Sequence, residues 1–206
     1  MKILDVTSAV FPEIKIIRYQ KFSDRRGYFT ETFRESDLIK IIPNFKIKQV
    51  NESSSKKGVF RGLHFQWDPY MGKMVRIING RIIDFYLDIR KNSSTYGKIA
   101  GYELKTNLTQ DYNHWVWVPI GFAHGVLCFE NSSIEYLCTG EYNPNSEIGI
   151  SLLSNDLDWS ICEKDIKIKF ELLKKTGLIL SDKDKNGLSL KQWTEDERAK
   201  NFIDTK

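Results

Sequence analysis

Met74-Val75-Arg76-Ile77-Ile78-Asn79-Gly80-Arg81-Ile82-Ile83-Asp84-Phe85-Tyr86-Leu87-Asp88 decides how the chain is read. Ile83, Phe85 and Leu87 alternate with Asp84, Tyr86 and Asp88, the period of a strand with two unlike faces. Upstream, 74–78 is rich in residues that favour pleated structure. Asn79-Gly80 lies between the two runs, and both residues tolerate positive φ, which makes the pair the strongest short hairpin signal. The expectation is an antiparallel pair, 74–78 and 81–88, joined by a tight turn.

Working outward, strands are expected over 14–19, 28–33, 46–51, 59–65, 99–104, 115–118, 125–129 and 134–137. Ser23 to Gly27 reads as a polar turn, 35–42 as a short helix capped by Ser36 or Asp37 and stopped by Pro43-Asn44, and 52–57 as a polar loop. Alternation over 28–33 puts Phe29, Glu31 and Phe33 on one face. Short strands at this even spacing predict an antiparallel sandwich or small barrel. After Tyr142-Asn143-Pro144 the apolar pairs thin out, which reads as a tail wrapping the barrel. Within it 166–173 alternates weakly, and 191–203 is expected to be a helix capped near Thr194, with Glu197 completing a capping box.

Composition narrows the function. The 206 residues, 41% of them hydrophobic, suffice for one sizeable core. A formal charge of +4 without a dense basic stripe argues against nucleic acid and suits a small anionic ligand. Cys128, Cys138 and Cys162 form neither a CxxC pair nor a disulfide framework and read as reduced thiols. An acid at position 5 precludes an apolar leader, and no apolar run approaches about 18 residues, so a soluble cytoplasmic protein away from membranes is expected.

Chemistry concentrates in Gly58-Val59-Phe60-Arg61-Gly62-Leu63-His64-Phe65-Gln66, which sets an imidazole inside a short buried strand. With Arg61 and Lys73 on one concave face, His64 would have its pKa pushed below about 6.5 and act as a general base. A core histidine bonded to a backbone carbonyl is the plainer reading. A second histidine, His124, lies in Pro119-Ile120-Gly121-Phe122-Ala123-His124-Gly125, which resembles the PxGxxH element of cupin barrels. Metal-binding cupins carry a His-x-His in the first element, but Gln66 stands at the second of those positions. Two imidazoles are too few for a stable divalent site, so an organic acid–base pocket without metal is expected.

Several further strings appear in fixed order. They are Asp24-Arg25-Arg26-Gly27-Tyr28-Phe29-Thr30-Glu31, Gln49-Val50-Asn51, Gly72-Lys73-Met74-Val75-Arg76, Asp88-Ile89-Arg90, Tyr96-Gly97, Trp117-Val118-Pro119 and Leu180-Ser181-Asp182-Lys183-Asp184. With the two histidine segments, they make most of the chain resemble the sugar-nucleotide 3,5-epimerase family, typified by dTDP-4-dehydrorhamnose 3,5-epimerase.

The resemblance implies a mainly β fold: a cupin-type jelly-roll barrel of antiparallel strands with a few short helices. It implies one domain over 1–206, with 160–206 a C-terminal extension packed on the barrel. It also implies roles. His64 matches the proton-abstracting base, Asp184 its orienting carboxylate and Tyr136 the proton donor on the opposite face, while Arg61 and Lys73 match cations around the keto oxygen and diphosphate. Arg26, Glu31, Gln49, Asn51, His124, Glu147 and Lys183 match positions that contact the nucleotide sugar. Arg26 and Glu31 would reach a neighbouring subunit's pocket, implying a homodimer. No cofactor is implied. Asp165 is a local rival for the role of Asp184.

The chemistry asks for these residue types. Removing a hydrogen beside a ketone needs a base and a cation or donor for the enolate oxygen, and inversion needs a proton source across the ring. Tyr136, with a reference pKa near 10, would serve if nearby cations lowered it. Tyr136 to Pro144 looks more like antibiotic-sugar epimerases, which raises inversion of carbon 3 or carbon 5 alone. The motifs leave thymidine, cytidine or guanosine open as the nucleoside. A cupin that binds a sugar nucleotide without turning it over is the reading from another class.

Overall fold

The computed structural model describes residues 1–107 and 109–204, so the last two residues of the expected extension lie outside the described residues. The chain opens with β1 (Ile3–Ser8), β2 (Lys15–Gln20), β3 (Phe22–Asp24), β4 (Gly27–Phe29) and α1 (Glu35–Leu38). The central strands are β5 (Gln49–Ser55), β6 (Phe60–Gln66), β7 (Lys73–Asn79), β8 (Arg81–Asp88), β9 (Ile99–Lys105), β10 (Tyr112–Val118), β11 (Phe122–Cys128) and β12 (Ser132–Cys138). There follow β13 (Glu147–Gly149), α2 (Lys164–Thr176), α3 (Asp182–Lys185), α4 (Leu190–Glu195) and a 3-10 turn, Glu197–Asn201. No helix among the described residues is long and apolar enough to cross a membrane.

Two antiparallel sheets face each other as a jelly roll. One runs β1-β2-β10-β7-β12-β5 and the other β13-β6-β11-β8-β9. This corrects the reading of Asn79-Gly80. β7 pairs with β10 and β12, whereas β8 pairs with β11 and β9, so the turn carries the chain from one sheet to the other. Asn79 stays in β7, and only Gly80 adopts positive φ, at 98°. A Cβ there would meet Asn131 O at 2.5 Å. The long-range ladders outweigh the local turn preference.

Burial follows the alternation that 81–88 announces. Ile82 and Tyr86 pack inward with Val75, Val116, Ile134 and Val126 between the sheets. Ile83, Phe85 and Leu87 point outward and are covered by Leu152, Ile166, Phe170, Leu173, Trp193 and Phe202 of the C-terminal part. The outer face of the six-stranded sheet, with Ile17, Tyr19, Met74, Trp115 and Leu137, is covered by Leu38, Ile42 and Phe45.

Other local expectations shift. The strand expected over 28–33 stops at Phe29, and Glu31 pairs with Arg34 at 2.8 Å and with the Met1 amino group, off the aromatic face assigned to it. The helix at 35 ends at Leu38. The expected loop at 52 remains strand as far as Ser55, because β12 pairs with it along its length. The weak alternation of 166–173 is a helix: Ile166, Phe170 and Leu173 are its buried residues at spacings of four and three. The last helix begins earlier than expected. Ser189 and Gln192 form its capping box, and Asp196 caps the following 3-10 turn. β1, at a sheet edge, and β13, three residues long, escape the pattern search.

Candidate active site

A cavity of about 620 Å³ opens between the sheets. Its walls are built by β6, β11 and β13 on one side and β5, β7 and β12 on the other. Arg61 and His64 both line it, although an odd separation of three would put them on opposite faces of a regular strand. A bulge reconciles them. Opposite β11, His64 pairs with His124 and Arg61 with Val126, so three steps on β6 match two on its neighbour. Phe60, Leu63 and Phe65 consequently all fall in the outer core while Arg61, His64 and Gln66 line the cavity. Gly62 sits in the bulge at φ 125°, and a Cβ on it would lie 2.5 Å from Gly125 Cα and 2.6 Å from His124 O.

His64 Nε2 stands 2.7 Å from Asp184 Oδ1, close but off the line of a straight hydrogen bond. Asp184 is buried at the start of α3, where Ser181 caps the helix by accepting from the Asp184 amide at 3.1 Å. The Ser181 hydroxyl in turn donates to Asp184 Oδ2 at 2.7 Å. Burial alone would raise the Asp184 carboxyl, but His64 and Ser181 outweigh it and hold it below the usual carboxylate range. The other ring nitrogen, Nδ1, is 3.6 Å from Glu147 Oε1. Both ring nitrogens thus face carboxylates, while the expected cations Arg61 and Lys73 line the same cavity. Asp165 lies away on α2, exposed and paired with Lys169 at 2.5 Å.

Tyr136 and Lys73 face the cavity from the six-stranded sheet. The Tyr136 hydroxyl is 3.1 Å from Ser53 Oγ. Burial pushes it well above the ordinary phenol value, and Ser53 and Arg61 offset this only in part, so the lowering expected from cations does not occur. Burial likewise pushes the Lys73 ammonium down, against the pull of Cys138, Glu147 and Asp84.

The remaining cavity groups form a polar frame. Gln49 donates to Asn51 Oδ1 at 2.8 Å and accepts from the Tyr142 amide at 2.8 Å. Arg61 Nε donates to Ser55 Oγ at 2.9 Å. Gln66 donates to the Pro69 and Glu141 carbonyls and accepts from the Asn143 amide, all at 2.8 Å, which makes it a tie between loops. His124 Nε2 is 2.5 Å from the fully buried Asp84, whose second oxygen accepts from Tyr86 at 2.7 Å. Among the described residues, no cluster of three or more His, Cys, Asp and Glu is arranged to hold a metal ion.

Three residues read as substrate contacts lie off the cavity wall. Lys183 is at the rim, paired with Glu147. Arg26 is on the exposed β3–β4 turn, bonded to Asp24 at 2.6 Å, and Glu31 is held by Arg34 and Met1. Sequence reading missed Ser53, Cys138, Tyr142 and Ser181 around the pocket, and the Asp84–Tyr86 pair beneath it. Strand parity was the available signal for two of them, Ser53 two residues from Asn51 and Cys138 two from Tyr136. The arrangement places a carboxylate-supported imidazole and a protonated phenol on opposite walls, with a cationic amine beside them, which is the equipment for moving protons on and off carbon next to a carbonyl.

Comparison with known proteins agrees with this chemistry. The family model for dTDP-4-dehydrorhamnose 3,5-epimerase matches residues 8–192. The protein of that name from Methanothermobacter thermautotrophicus is 39% identical over 178 residues, covering 86% of this chain and 89% of its own. That of Neisseria gonorrhoeae is 36% identical over 95% of this chain, which spans 55% of the Neisseria protein's length. The crystal structure of an epimerase from Legionella pneumophila, in complex with dTDP-4-keto-L-rhamnose, superposes with a TM-score of 0.80 at 30% identity over 98% of both chains. Its cupin-type jelly roll is the fold described above. The chain belongs to the dTDP-4-dehydrorhamnose 3,5-epimerase family.

Proposed function

We propose that the cavity binds a dTDP-linked 4-keto-6-deoxyglucose and inverts carbons 3 and 5 in turn, each through an enolate. The observation that carries this reading is that His64 and Tyr136 face one cavity from opposite sheets. His64, by the nitrogen not held on Asp184, removes the proton beside the ketone. Lys73 supplies positive charge to the enolate oxygen, a contribution of about 3 kcal/mol for one good donor. Tyr136, kept protonated by burial, returns a proton from the other face. Arg61, Gln49, Asn51, His124, Glu147 and Lys183 hold the sugar and its diphosphate. Tyr142, half exposed at the rim, offers an aromatic face to the base. Solved relatives with bound dTDP-sugars favour thymidine as the nucleoside.

The protein acts as a homodimer in the cytoplasm in this reading. Arg26 and the neighbouring Phe22, Tyr28 and Phe29 project from an exposed hairpin, which suits Arg26 and Glu31 to a second subunit's pocket. Light scattering on a size-exclusion column checks this: a monomer at micromolar concentration would refute it. The reaction is tested by incubation with dTDP-4-keto-6-deoxyglucose in deuterated water. Deuterium at both carbons is expected. Deuterium at one carbon would reduce the activity to a single-centre epimerase, and deuterium at neither with any nucleotide sugar would leave a binding protein.

A further inference from the structure

Asp84, on β8, shares the inward parity of Tyr86 and has no exposed surface. Such a charge is costly to bury unless neighbours compensate it. Among the described residues, two side chains hold its oxygens. Tyr86, two residues along the same strand, donates to Oδ2 at 2.7 Å, and His124 on β11 holds Oδ1 at 2.5 Å. The Tyr86 and His124 rings are near parallel, 17° apart with centroids at 6.3 Å. The edge of His124 then meets the Tyr136 ring at 6.4 Å and 74°. His124 lines the cavity directly opposite His64 in the β-ladder.

We propose that Asp84, acting through His124, is a positioning residue for the proton transfers: it fixes one nitrogen of the ring so that the other is presented to the sugar, and keeps a negative charge close to Lys73 and Tyr136. The proposal rests on the reading of those two groups given above. The groups around it come from six strands: Tyr86 on β8, His124 on β11, Lys73 on β7, Tyr136 on β12, Arg61 on β6, and Tyr102 on β9, which acts on Tyr86. Burial lowers Lys73, and Asp84 is among the groups that oppose this. Burial raises Tyr136, and Asp84 adds to that. Both effects favour the protonated forms, the cation that meets an enolate and the phenol that returns a proton.

The test uses Asp84→Asn, which keeps shape and removes charge, and Tyr86→Phe in the full chain, with folding followed by circular dichroism. Asp84→Asn is expected to lower kcat about 100-fold while the affinity for dTDP alone, which lacks the reacting sugar, stays within about twofold. Its alkaline limb is expected to move down by about one pH unit, since loss of a fixed negative charge lets Lys73 and Tyr136 deprotonate earlier. Tyr86→Phe removes one bond and should lower kcat about fivefold, with a smaller shift in the same direction. A folded Asp84→Asn enzyme with an unchanged alkaline limb overturns the proposal, as does a loss of kcat matched by loss of dTDP affinity. If Asp84→Asn does not fold, the alkaline limb of Tyr86→Phe decides in the same way. Lack of exchange in the unmodified chain would instead refute the epimerase reading itself.

Discussion

Two histidine–aspartate pairs stand side by side on neighbouring strands, and they are built differently. His124–Asp84 is closed: its side chains are 4% and 0% exposed, and both come from the barrel. His64–Asp184 is open: the imidazole is 22% exposed, and its carboxylate arrives from α3, outside the barrel. The closed pair has a short hydrogen bond and a tyrosine behind it, whereas the open pair meets obliquely and has a second carboxylate, Glu147, on its far side. A group that must take and release protons needs room and an adjustable partner, while a group that holds geometry needs neither.

The comparison can be broken most severely at the open pair. His64→Ala should lower solvent exchange at the sugar by roughly 10² to 10⁴-fold, as removal of a proton-transfer group does. Tyr136→Phe should be separable, retaining exchange while losing inversion, as read by deuterium at carbons 3 and 5 alongside product configuration. Gly62→Ala attacks the bulge that aims His64, because its Cβ would fall 2.5 Å from Gly125 Cα. It should destabilise the fold by more than about 2 kcal/mol in urea unfolding, and unchanged stability would show that the register can slip.

Asp184→Asn is expected to lower kcat by roughly 10 to 100-fold, less than loss of His64. It also carries a pH signature. Because the folded carboxyl sits below its unfolded value of about 3.9, its contribution to stability is present above that pH and is lost as pH falls through the folded pKa. The variant's melting temperature should therefore fall less steeply than wild type below about pH 4. The smallest effect belongs to Ser181→Ala, which removes a cap and one bond to Asp184 and should cost about 1 kcal/mol of stability.

How much of this the chain declares depends on how local the signal is. The period of two in 81–88 sorted Ile83, Phe85 and Leu87 from Tyr86 correctly, because both faces of β8 are packed. Asn79-Gly80 misled because a turn preference speaks only for the turn, and the partners of β7 and β8 lie far along the chain. The cavity residues were legible through motif resemblance rather than pattern: parity alone would have sent Arg61 and His64 to opposite faces, and the bulge at Gly62 is invisible without its neighbour strand. Charge environment was the least legible. Arg61 and Lys73 suggested a cationic setting for His64, yet Asp184 comes from more than a hundred residues away and Glu147 from another strand. Asp84 looked like the polar half of an alternating strand and is instead the most deeply buried charge at the site.

The supply of Asp184 from beyond the barrel also orders events in time. Its contact with the Gly62 amide spans 122 residues, and the helix that carries it follows the α2 segment that covers the outer sheet. A chain emerging from the ribosome makes every strand of the cavity wall first. The strands of the cavity wall are therefore made before the helix that supplies Asp184, and the cavity, lined also by Leu180 and Ser181, is complete only when that part of the chain has docked.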